Sequence, residues 1–488
     1  MSDPLGLLPI AIAASGGHVD GYEAQQLIAA GLTLLQRSAP LVRALQRRRA
    51  AILLPTSPAF FTALAASEGR GAVLINPLAS RAEIAYQIAD ANVGAVFTIA
   101  SLANRLPPDT VRVLLDDAPR AAHLIADGVT RDIDLGSHHG LILEGEADAP
   151  GARDEAAVVY TSALSGTLLG ARLTHANLLS NARATVEAGA MSHEAHALAV
   201  LPFTHLFGLV VSGAAPLLAG GRVTTMARFN PAQVLELLES ESITDLVAVP
   251  TVVTAVAALL ARRGARLVTA SLRLCICGGA TLAAEIQDRW HELTGVELRQ
   301  GYGLTEAGPV CLFNRIDLPN RRGTLGVPFP GVRVSIRFEH QDTELPGGET
   351  GEICVAGPNV FAGYVNAAAH PAMPGDPWSA GLGRAGEWLR TGDRGVANPD
   401  GTVSFRGLIK PMFTRNGCNV YPRELERVIG EMSGVRAVRI TAIPDPVREN
   451  DVAVEVDGDV IAADVKAWCD DRLAVYKRPS VVTVRGGA

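Results

Sequence analysis

Short apolar runs alternate with helix-like segments in the N-terminal part of the chain, and this alternation restricts the possible folds more than any other feature. Ala51-Ile52-Leu53-Leu54 predicts a buried strand, and Pro58 is placed to open a helix because proline suits a first turn. Residues 72–75 and 93–98 predict the next two strands. Strand–helix–strand alternation predicts parallel sheets covered by helices, and hence an α/β fold.

The helix between those two strands has a recognisable start. Ser80 and Glu83 have the spacing of a capping box, in which each side chain bonds the other residue's backbone N–H. Ile84 and Ile88 follow on one face, as a helix packed on a sheet requires.

The pattern changes after about residue 330, which suggests a second architecture. Short strand signals there are separated by turns such as Pro346-Gly347-Gly348 and Pro399-Asp400-Gly401, and they predict a small barrel-like or antiparallel region. A final segment from about residue 407 carries its own helix and strand signals. A chain of 488 residues is long enough to divide into two or more domains.

Composition and charge exclude some classes of function. A net charge of −7 argues against nucleic acid as a partner, because phosphate binding needs a basic face. The least charged stretch, residues 197–221, contains His205 and two prolines, so we expect no membrane span there. The N-terminus shows no basic region before an apolar one, and the six cysteines form no C-x-x-C motif. We therefore expect a cytoplasmic protein with reduced cysteines.

Three segments carry candidate chemistry, and the first is rich in hydroxyl groups and glycine. Tyr160-Thr161-Ser162-Ala163-Leu164-Ser165-Gly166 follows the apolar residues 157–159, and a helix led by Thr174-His175 comes after it. Strand, polar loop and helix together can point backbone amides and hydroxyls at an anion such as phosphate. An ordinary surface loop is the alternative interpretation of this segment alone.

The second and third segments are short. In Gly301-Tyr302-Gly303-Leu304-Thr305-Glu306, the aromatic ring can stack on a base and the carboxylate can hold Mg²⁺. In Thr391-Gly392-Asp393, the aspartate can accept hydrogen bonds from both ribose hydroxyls. Each could instead be an ordinary turn bearing a surface carboxylate.

The order of these segments reveals a resemblance that covers the chain from about residue 20 to its end. The chain resembles the adenylate-forming superfamily of acyl-CoA synthetases, peptide-synthetase adenylation domains and luciferases, and most of all the acyl- and aryl-CoA ligases. The matching segments, in order, are residues 160–175, 201–205, 278–280, 302–306, 351–364, 391–393 and 416–426.

The resemblance implies a fold and a reaction. It implies a large N-terminal AMP-binding domain of helix-covered sheets plus a small barrel, over residues 1–406, and a small mobile α+β domain over residues 407–488. Such proteins join a carboxylate to ATP with Mg²⁺, giving acyl-AMP. A thiol of CoA or of a carrier protein then attacks the acyl-AMP. The implied partners are a small carboxylic acid and a nucleotide, and a homodimer would be ordinary.

By the same resemblance, each segment supplies site residues. Thr161, Ser162, Ser165 and Gly166 would face phosphates, Thr305 would hold the α-phosphate, and Glu306 would hold Mg²⁺. Tyr302 would stack on adenine, Asp393 would bind ribose, and Lys410 would lie at the hinge, stiffened by Pro411. Gly279 and Ala280 would line the adenine and acid pockets. The walls of the acid pocket would come from His205, Phe207, Val249, Thr251, Gly279 and Gly301, which suit an aryl or medium-length acyl group.

The chain departs from the family where cations are expected. The family's first loop ends in Pro-Lys-Gly, but this chain has Leu168-Leu169-Gly170, and Arg172 is a speculative substitute for the missing lysine. Leu408 replaces an arginine that contacts ribose. The family's C-terminal Gly-Lys has no counterpart here, because the sequence ends at Gly486-Gly487-Ala488.

These departures leave alternatives open. Each missing cation is worth about 10² to 10³ in rate at a developing negative charge, so we expect impaired adenylation. The hypothesis that we favour is a ligase with altered phosphate chemistry. The second is a degenerate homologue that binds AMP, acyl-AMP or CoA, or partners an active ligase. The third, a truncated gene product, leaves the loop substitutions unexplained.

Overall fold

The predicted strands of the N-terminal part form two large sheets in the computed structural model, which describes residues 8–67, 71–116, 120–136, 155–161, 165–267, 269, 271–339, 341–369, 382–445 and 447–486. Within these residues the first sheet has eight strands, parallel at its centre and antiparallel at both edges. Its strands, in spatial order, are Leu169–Thr174, Glu155–Thr161, Ala72–Leu74, Arg49–Leu53, Val93–Thr98, Val111–Leu115, Ala121–Ala126 and Val129–Asp134.

The second sheet is also parallel in its centre. Its nine strands, counted over the described ranges, bury their central members on both faces, as sheets covered by helices do. In spatial order they are Val327–Pro328, Val310–Phe313, Leu298–Gly303, Leu274–Cys277, Asp245–Ala248, His196–Ala199, Arg222–Thr225, His18–Val19 and Tyr22–Glu23.

Helices cover these sheets, and the predicted capping box is confirmed. Ser80 Oγ accepts from the Glu83 N–H at 3.1 Å, and Glu83 Oε2 accepts from the Ser80 N–H at 2.7 Å. The α-helices are Leu8–Ala13, Ala24–Arg37, Ala39–Leu45, Ala59–Ala66, Arg81–Asp90, Ala100–Ala103, His175–Ala188, Ala215–Leu218, Pro231–Ser240, Pro250–Arg263, Ala284–Thr294, Pro422–Gly430 and Ala462–Arg472. A π-helix spans Phe207–Ala214, and 3₁₀ turns span Thr305–Ala307, Ala367–Ala369 and Val475–Lys477.

The hydroxyl-rich segment differs from the simple strand–loop–helix prediction. The chain leaves strand Glu155–Thr161, turns, and returns as strand Leu169–Thr174, which pairs antiparallel with it. Only then does helix His175–Ala188 begin, capped by the Thr174 side chain. The apolar Leu168 and Leu169, both buried, favour this return strand, and the segment forms a hairpin at the sheet edge.

The region predicted as a small barrel forms a five-stranded antiparallel sheet in the described residues. Strand Trp388–Ala397 lies at its centre and pairs with Thr350–Ala356, Arg384–Ala385 and Val403–Leu408, while Arg333–Arg337 pairs with Thr350–Ala356. The Thr391-Gly392-Asp393 segment lies in the central strand of this sheet.

The C-terminal segment has its own sheets and core. Hairpin Phe413–Arg415 and Cys418–Val420 is followed by the sheet Val435–Asp445, Glu449–Gly458 and Val481–Arg485. The apolar residues between Val420 and Leu473 form a cluster separate from the N-terminal core. This agrees with a small C-terminal α+β domain, and its boundary at residue 406 stays a prediction. No helix in the described part of the chain has the length and apolar character needed to cross a bilayer.

Candidate active site

A cavity of about 460 Å³ lies where the large sheets meet the C-terminal segment. Its wall is built from the ends of strands Glu155–Thr161 and Leu298–Gly303, from the hairpin at Phe413–Arg415, and from the 3₁₀ turn Val475–Lys477. This volume is within the range of small-molecule sites, about 300–1,000 Å³. The cavity brings together most of the predicted site residues that the structure describes.

One end of the cavity joins the second and third predicted segments. The Tyr302 hydroxyl donates to Asp393 Oδ2 at 2.7 Å, and both side chains line the cavity. Lys410 Nζ lies 3.1 Å from Asp393 Oδ1 and donates to the Thr391 carbonyl at 2.9 Å. The aromatic ring and carboxylate predicted for adenine and ribose are therefore neighbours, with the predicted hinge lysine bonded to the same carboxylate.

Glu306 is a buried carboxylate in the wall of this cavity, 5% exposed. Burial raises its pKa, while hydrogen bonds from Tyr364 and Thr161 and the charge of Lys410 oppose that rise. The Tyr364 hydroxyl donates to Glu306 Oε1 at 2.9 Å. Thr305 also lines the cavity. A lone carboxylate fits Mg²⁺ carried by a nucleotide, because Mg²⁺ commonly combines one or two carboxylates with substrate phosphates.

The cavity is also lined by the predicted acid-pocket residues His205, Phe207, Gly279 and Gly301, together with Ala280. The backbone N–H of Phe207 donates to His205 Nδ1 at 3.2 Å. Because Nδ1 accepts this bond, the neutral ring carries its proton on Nε2. Desolvation by the surrounding protein lowers the pKa of His205, so the imidazole remains neutral below its ordinary pKa of 6.5. A neutral Nε2–H can donate to an acyl or carboxylate oxygen.

The predicted phosphate loop lies only partly at the cavity. Thr161 lines it, Ser162 lies outside the described residues, and Ser165 and Gly166 are not among the lining residues. The Ser165 hydroxyl donates to the Thr167 carbonyl at 2.8 Å, and the Gly166 carbonyl accepts from Arg427 of the C-terminal segment at 2.7 Å. Phosphate binding by this loop stays a prediction.

Three further predicted residues do not line the cavity. Arg172 Nε lies 2.7 Å from Glu155 Oε2, and Glu155 also binds Arg49. The guanidinium is thus engaged at the far side of its strand, and a role at phosphate stays a prediction. Thr251, on helix Pro250–Arg263, and the preceding Val249 do not line the cavity.

Cations at the cavity are scarce and paired. Among the described lining residues, the lysine and arginine side chains are Lys410, paired with Asp393, and Lys477, paired with Glu83 and Glu424. Leu168 and Leu169 line the cavity where the family's Pro-Lys would lie. The shortage of cations noted in the sequence is therefore also found in the assembled site.

Comparison with known families agrees with this geometry. The family described as AMP-binding enzyme matches residues 36–365, which is more than half of the chain. The chain belongs to the AMP-binding enzyme family. The predicted family, the α/β fold with a small C-terminal domain, and the enzyme class are confirmed.

The relatives of this AMP-binding enzyme include CoA ligases. The chain is 32% identical to a feruloyl-CoA synthase of an Amycolatopsis species over 457 residues, 89% of this chain and 84% of that protein. It is 27% identical to a long-chain-fatty-acid–CoA ligase of Escherichia coli over 470 residues, 90% of this chain and 82% of that protein.

Solved structures support the same fold. A malonyl-CoA ligase, in a ternary product complex with methylmalonyl-CoA and AMP, matches with a TM-score of 0.76 and 27% identity, covering 97% of this chain and 96% of that one. The amide bond synthetase McbA of Marinactinospora thermotolerans matches with a TM-score of 0.80 over 98% of this chain and 95% of that one. At 23% identity, the second match supports the fold alone.

Sequence reasoning missed a buried ion cluster in this AMP-binding enzyme. Lys477 Nζ lies 2.8 Å from Glu83 Oε1 and 2.6 Å from Glu424 Oε1, and all three side chains are buried. Glu83 belongs to the capping box, so one carboxylate both caps a helix and holds the C-terminal segment. The scarcity of lysine was the available signal, but nothing local to Lys477 pointed to its partners.

Proposed function

We propose that this protein is an AMP-forming acid–CoA ligase that activates an aryl or medium-length acyl carboxylic acid through an acyl-AMP. The observation that carries the proposal is the single cavity joining Tyr302, Asp393, Thr305 and Glu306 to the wall around His205. When the nucleotide and the acid bind in this one cavity, the carboxylate of the acid lies next to the α-phosphate. The feruloyl-CoA synthase and fatty-acid–CoA ligase relatives support an acid of this class.

In this proposal each side chain has a defined part. Asp393 accepts from the ribose hydroxyls, with Tyr302 and Lys410 fixing its orientation. Glu306 holds the Mg²⁺ of MgATP, and Thr305 donates to the α-phosphate. His205 donates from Nε2 to the acid, leaving the other carboxylate oxygen to attack the α-phosphorus and expel pyrophosphate. The acceptor sulfur then attacks the acyl carbon, AMP leaves with the C–O bond electrons, and the thiol proton passes to solvent.

Slow adenylation is part of the same proposal. The pyrophosphate leaving group gains negative charge as it departs, and one missing cation at such a position costs about 10² to 10³ in rate. Leu168 and Leu169 offer no charge, and Lys410 and Lys477 are already paired with carboxylates. We therefore propose that thioester formation from a preformed acyl-AMP is faster than adenylation.

Separate measurement of the two half-reactions tests this function. Pyrophosphate exchange into ATP would be measured with ferulate, cinnamate, benzoate and octanoate. Thioester formation would be measured from synthetic feruloyl-AMP or octanoyl-AMP with CoA. Slow acid-dependent exchange with faster thioester formation is expected. No exchange with any acid and no thioester from either adenylate would refute the ligase proposal.

The paired state of the cavity cations favours a second candidate, a protein that binds AMP, acyl-AMP or CoA without forming the adenylate. Calorimetry with ATP, AMP and CoA, each with and without Mg²⁺, separates the two. ATP binding that strengthens with Mg²⁺ supports the ligase, whereas AMP or CoA binding without ATP binding supports the second candidate. A carrier-protein acceptor, a homodimer and the cytoplasmic location stay predictions.

A further inference from the structure

The backbone of Glu449 has an unusual conformation. Glu449 has φ +71°, a strained left-handed conformation that a long side chain rarely adopts. It opens strand Glu449–Gly458, directly opposite Asp445 in the hairpin with Val435–Asp445. Strain of this kind persists only where surrounding contacts enforce it.

Three contacts join this turn to the neighbouring hairpin tip, residues 414–418. The Asn416 N–H donates to the Arg448 carbonyl at 3.0 Å, and Asn450 Nδ2 donates to the Thr414 carbonyl at 2.9 Å. Between them, Glu449 Oε2 accepts from the Gly417 N–H at 3.4 Å. The left-handed backbone thus places the carboxylate over the tip, and burial raises the pKa of that carboxyl group.

The hairpin tip is itself part of the cavity wall. Asn416 and Gly417 both have positive φ and form the two-residue turn that an Asn-Gly pair favours. A Cβ placed on Gly417 would lie 3.1 Å from Val249, and one on Gly279 would lie 3.9 Å from the Gly417 carbonyl. The tip backbone therefore lies next to Val249 and close to Gly279 of the acid-pocket wall, and a shift of the tip would alter the space beside Gly279.

We propose that Glu449 is a positioning residue for the thiol step, which holds the tip 414–418 against the acid-pocket wall through Gly417. The proposal rests on the ligase function proposed above. The tip comes from the C-terminal segment, and its residues Thr414, Gly417 and Cys418 line the cavity in which the acyl-AMP would be attacked. Displacement of reacting groups by about 1 Å can cost 10²-fold in rate, so a small shift of the tip is enough to slow the transfer.

The protein contains a reporter for the position of the tip. Cys418 lines the cavity and is partly buried, while the other five cysteines are buried. Burial raises the pKa of Cys418 to about 11, which slows its reaction with iodoacetamide. Release of the tip would expose the thiol and lower this pKa towards its ordinary value, so alkylation of Cys418 measures the tip without any need for enzymatic activity.

The test compares Glu449→Gly, which relieves the strain and removes the contact, with Glu449→Gln, which keeps an acceptor oxygen. Asp127→Gly is the matched control, because Asp127 has φ +52° in an exposed turn far from the cavity. Alkylation of Cys418 would be followed by peptide mass spectrometry. The half-reactions would use ferulate for exchange, and synthetic feruloyl-AMP with CoA for transfer.

For Glu449→Gly we expect Cys418 to be alkylated about tenfold faster and thioester formation to be about tenfold slower, with pyrophosphate exchange within about twofold of wild type. Glu449→Gln should stay near wild type in both labelling and transfer, and Asp127→Gly should be unchanged. Unchanged Cys418 labelling in Glu449→Gly would overturn the inference. Slow thioester formation in Glu449→Gln with unchanged Cys418 labelling would also overturn the inference. In that case the carboxylate would take part in proton transfer and would not position the tip. If wild type forms no thioester, the proposed function fails, and the labelling still decides the role of Glu449.

Discussion

Replacement of Lys477 by methionine tests the buried cluster that joins the two parts of the chain. Methionine keeps most of the volume of the lysine stem but removes the ammonium shared by Glu83 and Glu424. Lys477 is 1% exposed, Glu424 2% and Glu83 7%, so solvent cannot screen the remaining charges. Breaking a buried pair of this kind costs about 3–5 kcal/mol, because an uncompensated charge stays in the interior.

The cost of this substitution depends on pH. Burial raises the pKa of Glu424, and the Lys477 charge opposes that rise. Loss of the ammonium therefore raises the folded-state pKa further, so the folded variant binds a proton that the unfolded chain has released. A carboxyl with a raised pKa loses stability as pH rises through the folded pKa. We therefore expect the difference between wild type and variant to be largest near pH 8 and to shrink towards pH 5.

Hydrogen exchange of the amides in helix Pro422–Gly430 measures the effect locally. A loss of about 3–5 kcal/mol corresponds to roughly 10²- to 10⁴-fold faster exchange. The chain offers a matched control, since Lys466 is exposed and Lys466→Met should leave exchange unchanged. Adding Glu424→Gln to Lys477→Met should restore part of the protection. The reasoning is refuted if Lys477→Met exchanges like Lys466→Met at pH 8.

Three further predictions concern catalysis. Glu306→Gln should lower the rate of pyrophosphate exchange by about 10²-fold or more. Its affinity for AMP, measured by calorimetry, should stay within a few-fold of wild type. An unchanged exchange rate would exclude Glu306 as the Mg²⁺ ligand. Leu169→Lys should raise the rate of pyrophosphate exchange by about tenfold or more, whereas the control Leu169→Met should not. An unchanged rate in Leu169→Lys would show that the missing loop cation does not limit adenylation. Because the pKa of His205 is lowered, the pH profile of kcat/KM should stay flat as pH falls to 6.5. Below that pH, protonation of Nδ1 breaks the bond from the Phe207 N–H that orients the ring, so the profile should decline, and His205→Gln should abolish that decline. A decline starting above pH 6.5 would contradict a neutral His205.

Local sequence signals predicted much of the fold correctly. Residues 93–98 were predicted as a strand and form Val93–Thr98, and the Ser80/Glu83 capping box is present with both hydrogen bonds. These features depend on residues only a few positions apart, where burial period and side-chain reach decide the outcome. The return strand Leu169–Thr174 was missed, because its pairing with Glu155–Thr161 depends on a turn that the loop composition did not specify.

The site residues were likewise predictable from short segments, whereas their hydrogen-bond partners were not. Tyr302, Glu306 and Asp393 were named from short motifs and His205 from the family resemblance, and the structure places all of them in one cavity. Their partners were not predictable in this way. The Tyr364 hydroxyl at Glu306 comes from a residue 58 positions away, and no local pattern records that contact.

The sequence by itself determined the strand–helix alternation of the N-terminal part, the family segments and the loss of lysine from the first loop, since each depends on neighbouring residues. Only the tertiary structure decided how the scarce cations are used. Lys477 pairs with Glu83 across 394 positions and with Glu424 across 53 positions. A buried charge is stabilised only by groups that the fold brings within about 3 Å, and chain separation says nothing about that distance.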